Sequence, residues 1–496
     1  MQLVIKRTHL QMKIKFLPIL LVSLLVTMSA MTSCLDNDIE QVTYSSETSI
    51  TSFSLGTLYV KRVGKDSKGE DSTYTDTISM ANYPFTINQA MRTIENKDSL
   101  PVGTDISRVL TKITADTDYI LYGKIDSEGA EAKDTLWTSS DSINFAFAPT
   151  EGLSFKVLAY SGVMGKAYRV KINVHNQEPD SLQWTKEPIG AGFTSGTLIK
   201  QKAVYANDKI YVFGTTQNGK QVVEYTSVSN GTPGTSWTTI NLPDATDTYS
   251  ATLCQGNIYF LVEQVLYKLT DNGCEASSVS NLSQLIAGID NLLYARTAKD
   301  ESYVYDVQAN SGTTENYNIT DFPSKGTRTL SVNIPVSYNT SLTRAVVMGY
   351  NTEKADGSGI VSTRLTNDNT WSTYNYEEAD TFRCPNIVDP SLIYYNKKLY
   401  VFGGEITSKD YTDYKNPFST LFCSTDNGLT WETVKEDMTF ATEGTSFVEL
   451  YNRGKVKGEG SYSCVVDKDN FIWIIWNNGY MSRGRINHFG FLPKWE

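Results

Sequence analysis

The run Asn207-Asp208-Lys209-Ile210-Tyr211-Val212-Phe213-Gly214 decides the fold, because it returns as Asn396-Lys397-Lys398-Leu399-Tyr400-Val401-Phe402-Gly403-Gly404. Looser copies are Gln255-Gly256-Asn257-Ile258-Tyr259-Phe260 and Asp469-Asn470-Phe471-Ile472-Trp473-Ile474. Each is a polar turn feeding a mostly apolar strand. A near-continuous apolar run is what a strand needs when neighbouring sheets cover both of its faces. A second element recurs downstream as Ser236-Trp237-Thr238-Thr239, Thr370-Trp371-Ser372-Thr373 and Thr430-Trp431-Glu432-Thr433. Turn, apolar strand and tryptophan strand together define units of four strands, the blade of a β-propeller. Units fall near 202–243, 249–281, 284–322, 334–377, 390–436 and 461–491, which predicts six blades. Gln183-Trp184-Thr185-Lys186 repeats the outer-strand element ahead of the first unit, and the last unit stops soon after its third strand. Residues 182–496 are therefore expected to form a six-bladed propeller closed by an N-terminal outer strand, which would remove its exposed edges.

Ahead of the repeats the pattern changes. Period-two alternation at 53–60, 85–88, 119–125, 155–159 and 168–174, broken by polar turns, predicts a small antiparallel β-sandwich over 50–175. Tyr168-Arg169-Val170-Lys171-Ile172-Asn173-Val174 is read as its closing edge strand, and residues 176–181, which lack an apolar face, as the linker. The whole is an all-β chain of two domains.

The chain has 496 residues and a formal charge of −11. Lys13 and Lys15 precede an apolar run over 16–26, and Met31-Thr32-Ser33 leads into Cys34. A positive region, a short apolar region and small residues describe a secretory signal over 1–33, too short for a permanent membrane span. Without that segment's four cations the charge is about −15, a balance that argues against nucleic-acid binding. Only His175 and His488 follow the signal, so His-rich metal sites and Ser-His-Asp relays lack raw material, and no cofactor or metal is expected. Cys254, Cys274, Cys384, Cys423 and Cys464 include no Cys-x-x-Cys pair and read as small buried hydrophobes, with Cys254 and Cys274 the one pairing to check.

The placement of Cys34 resembles the lipobox of bacterial lipoproteins, which implies a lipidated cysteine at the head of a tether over 34–49. Asp36, Asp38 and Glu40 are similar to the acidic stretch that sends Bacteroides-type lipoproteins to the cell surface. The resemblance implies an outer-membrane, lipid-anchored, surface-exposed monomer. Ser424-Thr425-Asp426-Asn427-Gly428-Leu429-Thr430-Trp431 resembles the Asp-box of sialidase-like propellers, and the 400–404 run a Kelch strand. That likeness makes Ser424, Asp426, Gly428 and Trp431 structural turn residues. The whole organisation is similar to an uncharacterised family of Bacteroides-type lipoproteins that pair an immunoglobulin- or cadherin-like domain with a Kelch or Asp-box propeller. The run Asn96-Lys97-Asp98-Ser99-Leu100-Pro101-Val102-Gly103-Thr104-Asp105 looks like that family's N-terminal signature.

Loops on a rigid scaffold are where binding residues concentrate. The loops entering the innermost strands carry Arg328, Arg383 and Arg453, and long inserts add Tyr411, Tyr414, Tyr451, Lys455 and Lys457. Three guanidinium groups over a channel would suit a carboxylate, and tyrosines would supply sugar-stacking faces. Phe382-Arg383-Cys384-Pro385 resembles the Phe-Arg-Ile-Pro element of sialidases, but no Tyr-Glu nucleophile pair or separate acid is assignable. The first reading is thus a non-catalytic surface lipoprotein whose propeller binds a glycan or a protein partner. The alternatives are a glycan-active enzyme, a sialidase-like glycosidase or lyase on the arginine face, and a structural subunit of an outer-membrane complex.

Overall fold

The computed structural model describes residues 42–491, apart from 66–67, 69–70, 126–130, 321, 324–327, 378–379, 435–437, 442 and 455–461. The leader, Cys34, Lys455 and Lys457 lie outside the described residues. The chain divides into two compact units between Asn176 and Gln177.

In the first unit, Ile50–Leu55 pairs antiparallel with Val109–Ala115, whose other edge carries Ser142–Ile143. A second sheet has the order Phe85–Asn88, Thr93–Asn96, Tyr168–Lys171, Leu153–Val157, Ile120–Ile125, Glu131–Leu136. A third holds Asp71–Ser79, Thr57–Lys65 and Thr104–Asp105. The alternating apolar residues Phe53, Leu55, Ile94, Phe155, Val157 and Tyr168 meet in one core, where the Phe53 ring stands edge-on to Phe85 at 5.0 Å. Two expectations are corrected. The strand predicted over 53–60 is two strands broken at Gly56, whose N–H turns to the Leu110 carbonyl. The predicted edge, Tyr168–Lys171, is an interior strand, and it pairs in parallel with Thr93–Asn96. Tyr168 and Val170 are both fully buried, which an edge facing water would not supply.

Among the described residues, the second unit holds six successive antiparallel sheets. Their first strands are Leu198–Ala206, Thr252–Cys254, Leu282–Ile289, Thr329–Pro335, Pro390–Tyr395 and Tyr462–Val466. The repeated turn joins first strand to second. Asn207 and Asp208 both have positive φ, as do Asn396 and Lys397 and also Gln255 and Gly256, so these three copies are two-residue hairpin turns, while in the fourth Val466 pairs with Ile472 across a longer loop. The apolar runs are the second strands, Lys209–Thr216, Asn257–Val262, Lys398–Gly403 and Ile472–Trp476.

Burial explains why those runs are apolar on both faces. Six clusters of buried side chains each join two consecutive sheets. One of them packs Val212 and Trp237 of the first sheet against Trp473 and Ile475 of the sixth. The first strands likewise touch in sequence, from the first sheet through to the sixth and back to the first. The outer edge of the sixth sheet is Leu182–Trp184, paired antiparallel with Met481–Ile486. Each sheet thus has its two faces against different neighbours, the arrangement of a β-propeller.

Candidate functional site

The turn at 424–431 is held by its own side chains. Ser424 Oγ donates to Asp426 Oδ1 at 2.8 Å and accepts from the Gly428 N–H at 2.8 Å. Asp426 also accepts from the Thr430 N–H and hydroxyl at 2.9 and 2.6 Å. Burial pushes the Asp426 carboxyl up, but the hydrogen bonds from Thr430 and Ser424 outweigh it and leave it below the usual range. Gly428 sits at φ +92°, a conformation that L side chains rarely adopt. Trp431 is fully buried, with its indole N–H on the Gly428 carbonyl at 2.8 Å. All four residues are therefore engaged in the turn itself.

Among the described residues, the three arginines expected to converge share no hydrogen-bond or ion-pair partner. Arg453 ends the helix Phe447–Arg453, is exposed, and pairs one turn back with Glu449. Arg383 is buried and spent on holding its loop. It ion-pairs with Asp410 and donates to the Glu377 carbonyl at 3.3 Å, while its own carbonyl accepts from the Tyr411 hydroxyl at 2.5 Å. Tyr411 and Tyr414 set their rings edge-on to Phe422, at 4.8 and 6.0 Å, so they pack the fifth sheet rather than stand free. A three-arginine clamp is not what the structure assembles, because two of the guanidinium groups are committed to carboxylates of their own.

Arg328 is different. It precedes the first strand of the fourth sheet, and around it stand Gln201 and Lys202 from the middle of the first sheet's first strand, Tyr249 from the short turn Thr248–Ser250, and Ser391 and Tyr462 from the starts of the first strands of the fifth and sixth sheets. Only 5% of Arg328 is exposed. Its guanidinium lies over the Tyr462 ring at 5.0 Å and the Tyr249 ring at 5.7 Å, and Nη2 donates to the Gln201 carbonyl at 3.3 Å. Lys202 makes the opposite crossing, from first sheet to fourth: Nζ donates to the Thr329 carbonyl at 3.2 Å and to the Tyr249 carbonyl at 2.8 Å. Burial, helped by the neighbouring Arg328 charge and offset by Asp247, brings the Lys202 ammonium down to about 8. Burial acts on Arg328 in the same sense, but Asp389 and the tyrosines outweigh it and raise its value.

Polar neighbours brace this cluster. Gln201, fully buried, donates to Ser463 Oγ and the Ile475 carbonyl, each at 2.8 Å. Gln284 donates to Thr329 Oγ1 at 2.8 Å. Tyr462 donates to the Asp389 carbonyl at 2.7 Å, and Tyr451 to the Asp389 carboxylate at 2.9 Å. The Gly403-Gly404 end of the repeat lets these phenols approach: a Cβ at Gly403 would stand 2.5 Å from the Tyr462 oxygen, and one at Gly404 2.5 Å from that of Tyr451. Lys202, Gln201, Gln284 and Tyr462 were not singled out from sequence. Gln201 and Lys202 stand in the polar run Lys200-Gln201-Lys202 inside Leu198–Ala206, and Gln284 near the start of Leu282–Ile289.

The five cysteines are all free, Cys254 and Cys274 included. Burial pushes the thiols of Cys254, Cys274, Cys384, Cys423 and Cys464 up, so none carries thiolate character at neutral pH.

Fold and site together define an all-β protein with a C-terminal propeller whose first strands begin around a cationic, tyrosine-lined cluster. The chain belongs to the DUF6242 family: residues 178–494 match its beta propeller domain, and residues 53–172 match the N-terminal domain of this domain of unknown function. No curated protein matches. Among solved structures, the chain is similar to a structural genomics protein of unknown function from Bacteroides thetaiotaomicron, at 10% identity and TM-score 0.36, covering 82% of this chain and 98% of that one. It is also similar to an α-L-arabinanase from Penicillium chrysogenum complexed with arabinobiose, at 11% identity and TM-score 0.34, covering 61% and 97%. A third is the SapL1 lectin in complex with α-methyl fucoside, at 11% identity and TM-score 0.35, covering 56% and 90%. Likeness at this level bears on neither ligand nor activity.

Proposed function

We propose that this chain is a non-catalytic, lipid-anchored protein of the outer membrane whose six sheets are the blades of a propeller closed by Leu182–Trp184, and that the propeller binds a glycan where its first strands begin. The observation that carries the reading is the Lys202, Arg328, Tyr249 and Tyr462 cluster, which combines aromatic faces with hydrogen-bond donors on a rigid frame. The nearby carboxylates have structural duties that support a binding rather than a catalytic role. Asp247 accepts the Tyr249 N–H at 3.0 Å, and Asp389 accepts the Tyr451 hydroxyl. Blade count and closure are supported by the six clusters between consecutive sheets, one of them joining sixth to first, and by the pairing of Leu182–Trp184 with Met481–Ile486.

The test is a glycan array probed with the full chain in detergent. Binding to one class of sugar is expected, weakened at least about tenfold, or ~1.4 kcal/mol, by Tyr249→Ser. A folded protein that binds nothing on the array would overturn the glycan reading in favour of a protein partner. The anchor has its own check. Cys34→Ser is expected to move the protein from the membrane fraction to the soluble one, and retention in the membrane fraction would count against lipidation at that residue.

A further inference from the structure

We infer that the cluster where the first strands begin contains a carboxylate subsite, in which Lys202 and Arg328 together hold the acid group of a uronic-acid-bearing glycan. The inference rests on the glycan reading above and narrows it to one ligand chemistry.

Two cations are brought to one place by strands of non-consecutive sheets, and both spend their donors on neutral carbonyls, of Thr329 and Tyr249 for Lys202 and of Gln201 for Arg328. Among the described residues neither forms an ion pair with a carboxylate, unlike Arg296, Arg364, Arg383 and Arg453, which all do. Among the described residues Arg328, 5% exposed, keeps its Nε–H without a hydrogen-bond partner, as Arg296, Arg364 and Arg383 also do. A buried charge with an unbonded donor is costly, and an incoming anion removes that cost. The guanidinium edge that carries a free Nε beside an Nη matches two coplanar oxygens, which is the shape of a carboxylate. Lys202 supplies the second positive charge. Among the described residues two carbonyls take two of its three N–H groups and the third has no partner. Asp247 and Asp389 face the same pair and repel any incoming anion, a doubly charged phosphate about twice as strongly as a monoanion. The half-buried Tyr249 ring beside Arg328 gives the attached sugar an aromatic face.

The site carries a pH signature. The groups that face Lys202 are Arg328 and Asp247. Behind them stand Lys200 beside Asp247, and Asp389, Tyr249, Tyr451, Tyr462 and Cys464 about Arg328. A lysine lowered to about 8 is mostly charged at pH 7 and about one-tenth charged at pH 9. Carboxylate affinity is therefore expected to fall about tenfold across that interval.

The experiment is calorimetric titration of the full chain in detergent with glucuronate, glucose and acetate at pH 7 and pH 9, with Lys202→Met and Lys202→Arg alongside. Glucuronate is expected to bind at least about tenfold more tightly than glucose at pH 7 and to lose about tenfold at pH 9. Lys202→Met should abolish the preference, while Lys202→Arg should keep it and flatten the pH dependence, which a merely structural role for the lysine would not do. Equal affinity for glucose and glucuronate would overturn the subsite and leave the glycan reading standing. Binding of neither sugar would overturn both. Acetate as tight as glucuronate would show that the sugar contributes nothing and would overturn the assignment to a uronic acid. Should Lys202→Met fail to fold, the wild-type pH profile and Lys202→Arg decide the matter alone.

Discussion

Arg364→Leu is expected to lower the unfolding free energy by about 3 kcal/mol, the low end of the cost of removing one partner of a buried ion pair, because the stranded Glu315 carboxylate is only partly buried. Arg364, on the third strand of the fourth sheet, forks onto Glu315 of the third sheet: Nη1 donates to Oε2 at 2.8 Å and Nη2 to Oε1 at 2.7 Å. The same guanidinium lies 4.5 Å from the Tyr294 ring and 6.0 Å from that of Trp371, and Ser302 and Tyr317 complete the carboxylate's shell. Burial pushes the Glu315 carboxyl up, but the hydrogen bonds from Arg364, Ser302 and Tyr317 outweigh it and hold it below the usual range. Because the folded value is depressed, the stabilisation is complete above the unfolded value, about 4.3, and is lost as pH falls through the folded one. The gap between wild type and Arg364→Leu should therefore narrow on acidification, as thermal midpoints at pH 7 and pH 4 would show. Adding Glu315→Leu should recover much of the loss. A double variant no more stable than Arg364→Leu would mean that the damage is steric rather than electrostatic.

Trp431→Ala is expected to cost a similar amount, about 3–5 kcal/mol, by a different route. Its ring is fully buried among Ile334, Val346 and Val361 of the fourth sheet and Leu399 and Phe422 of the fifth, so removal opens a cavity between two sheets that cannot easily close. The lost indole N–H also leaves the Gly428 carbonyl with only the Tyr376 hydroxyl, at 3.0 Å. Trp431→Phe should recover the larger part of the loss, since it restores most of the volume but not the hydrogen bond. Denaturant midpoints for the three proteins would check this order, and a Trp431→Ala midpoint within error of wild type would contradict the packing described.

The second unit was the more legible because its repeat has a physical cause that shows in the residues. Two-residue turns need positive φ, which Asn and Gly accept at Asn207, Asn396 and Gly256, and second strands covered on both faces must be apolar throughout. The first unit gave weaker signals. Thr93–Asn96 has one apolar residue in four, yet it pairs inside a sheet, with Ile94 in the apolar core and Asn96 fully buried as well. The candidate site was half legible. Its place, at the entries to the first strands, followed from scaffold logic, and Arg328 lies there. Arg383 lies in a loop before the fifth sheet and Arg453 at the end of the helix Phe447–Arg453, but nothing in the one-dimensional order showed that Asp410 and Glu449 would occupy them. Lys202 was hidden for the opposite reason. It sits inside a strand, where a lysine reads as a solvated side chain until its Nζ is seen bonded to the Thr329 carbonyl, 127 residues away.

Leu182–Trp184 also has a mechanical meaning. The chain enters the propeller through residues 177–181, so tension arriving from the first unit reaches this three-residue strand before any other part of the second. It is held along one side only, by Met481–Ile486, with Asn487 and His488 adding backbone bonds to the Ser181 and Pro179 carbonyls just upstream. Tension on the linker therefore meets a handful of backbone bonds and the packing of Trp184 against Phe447 before it meets any first strand.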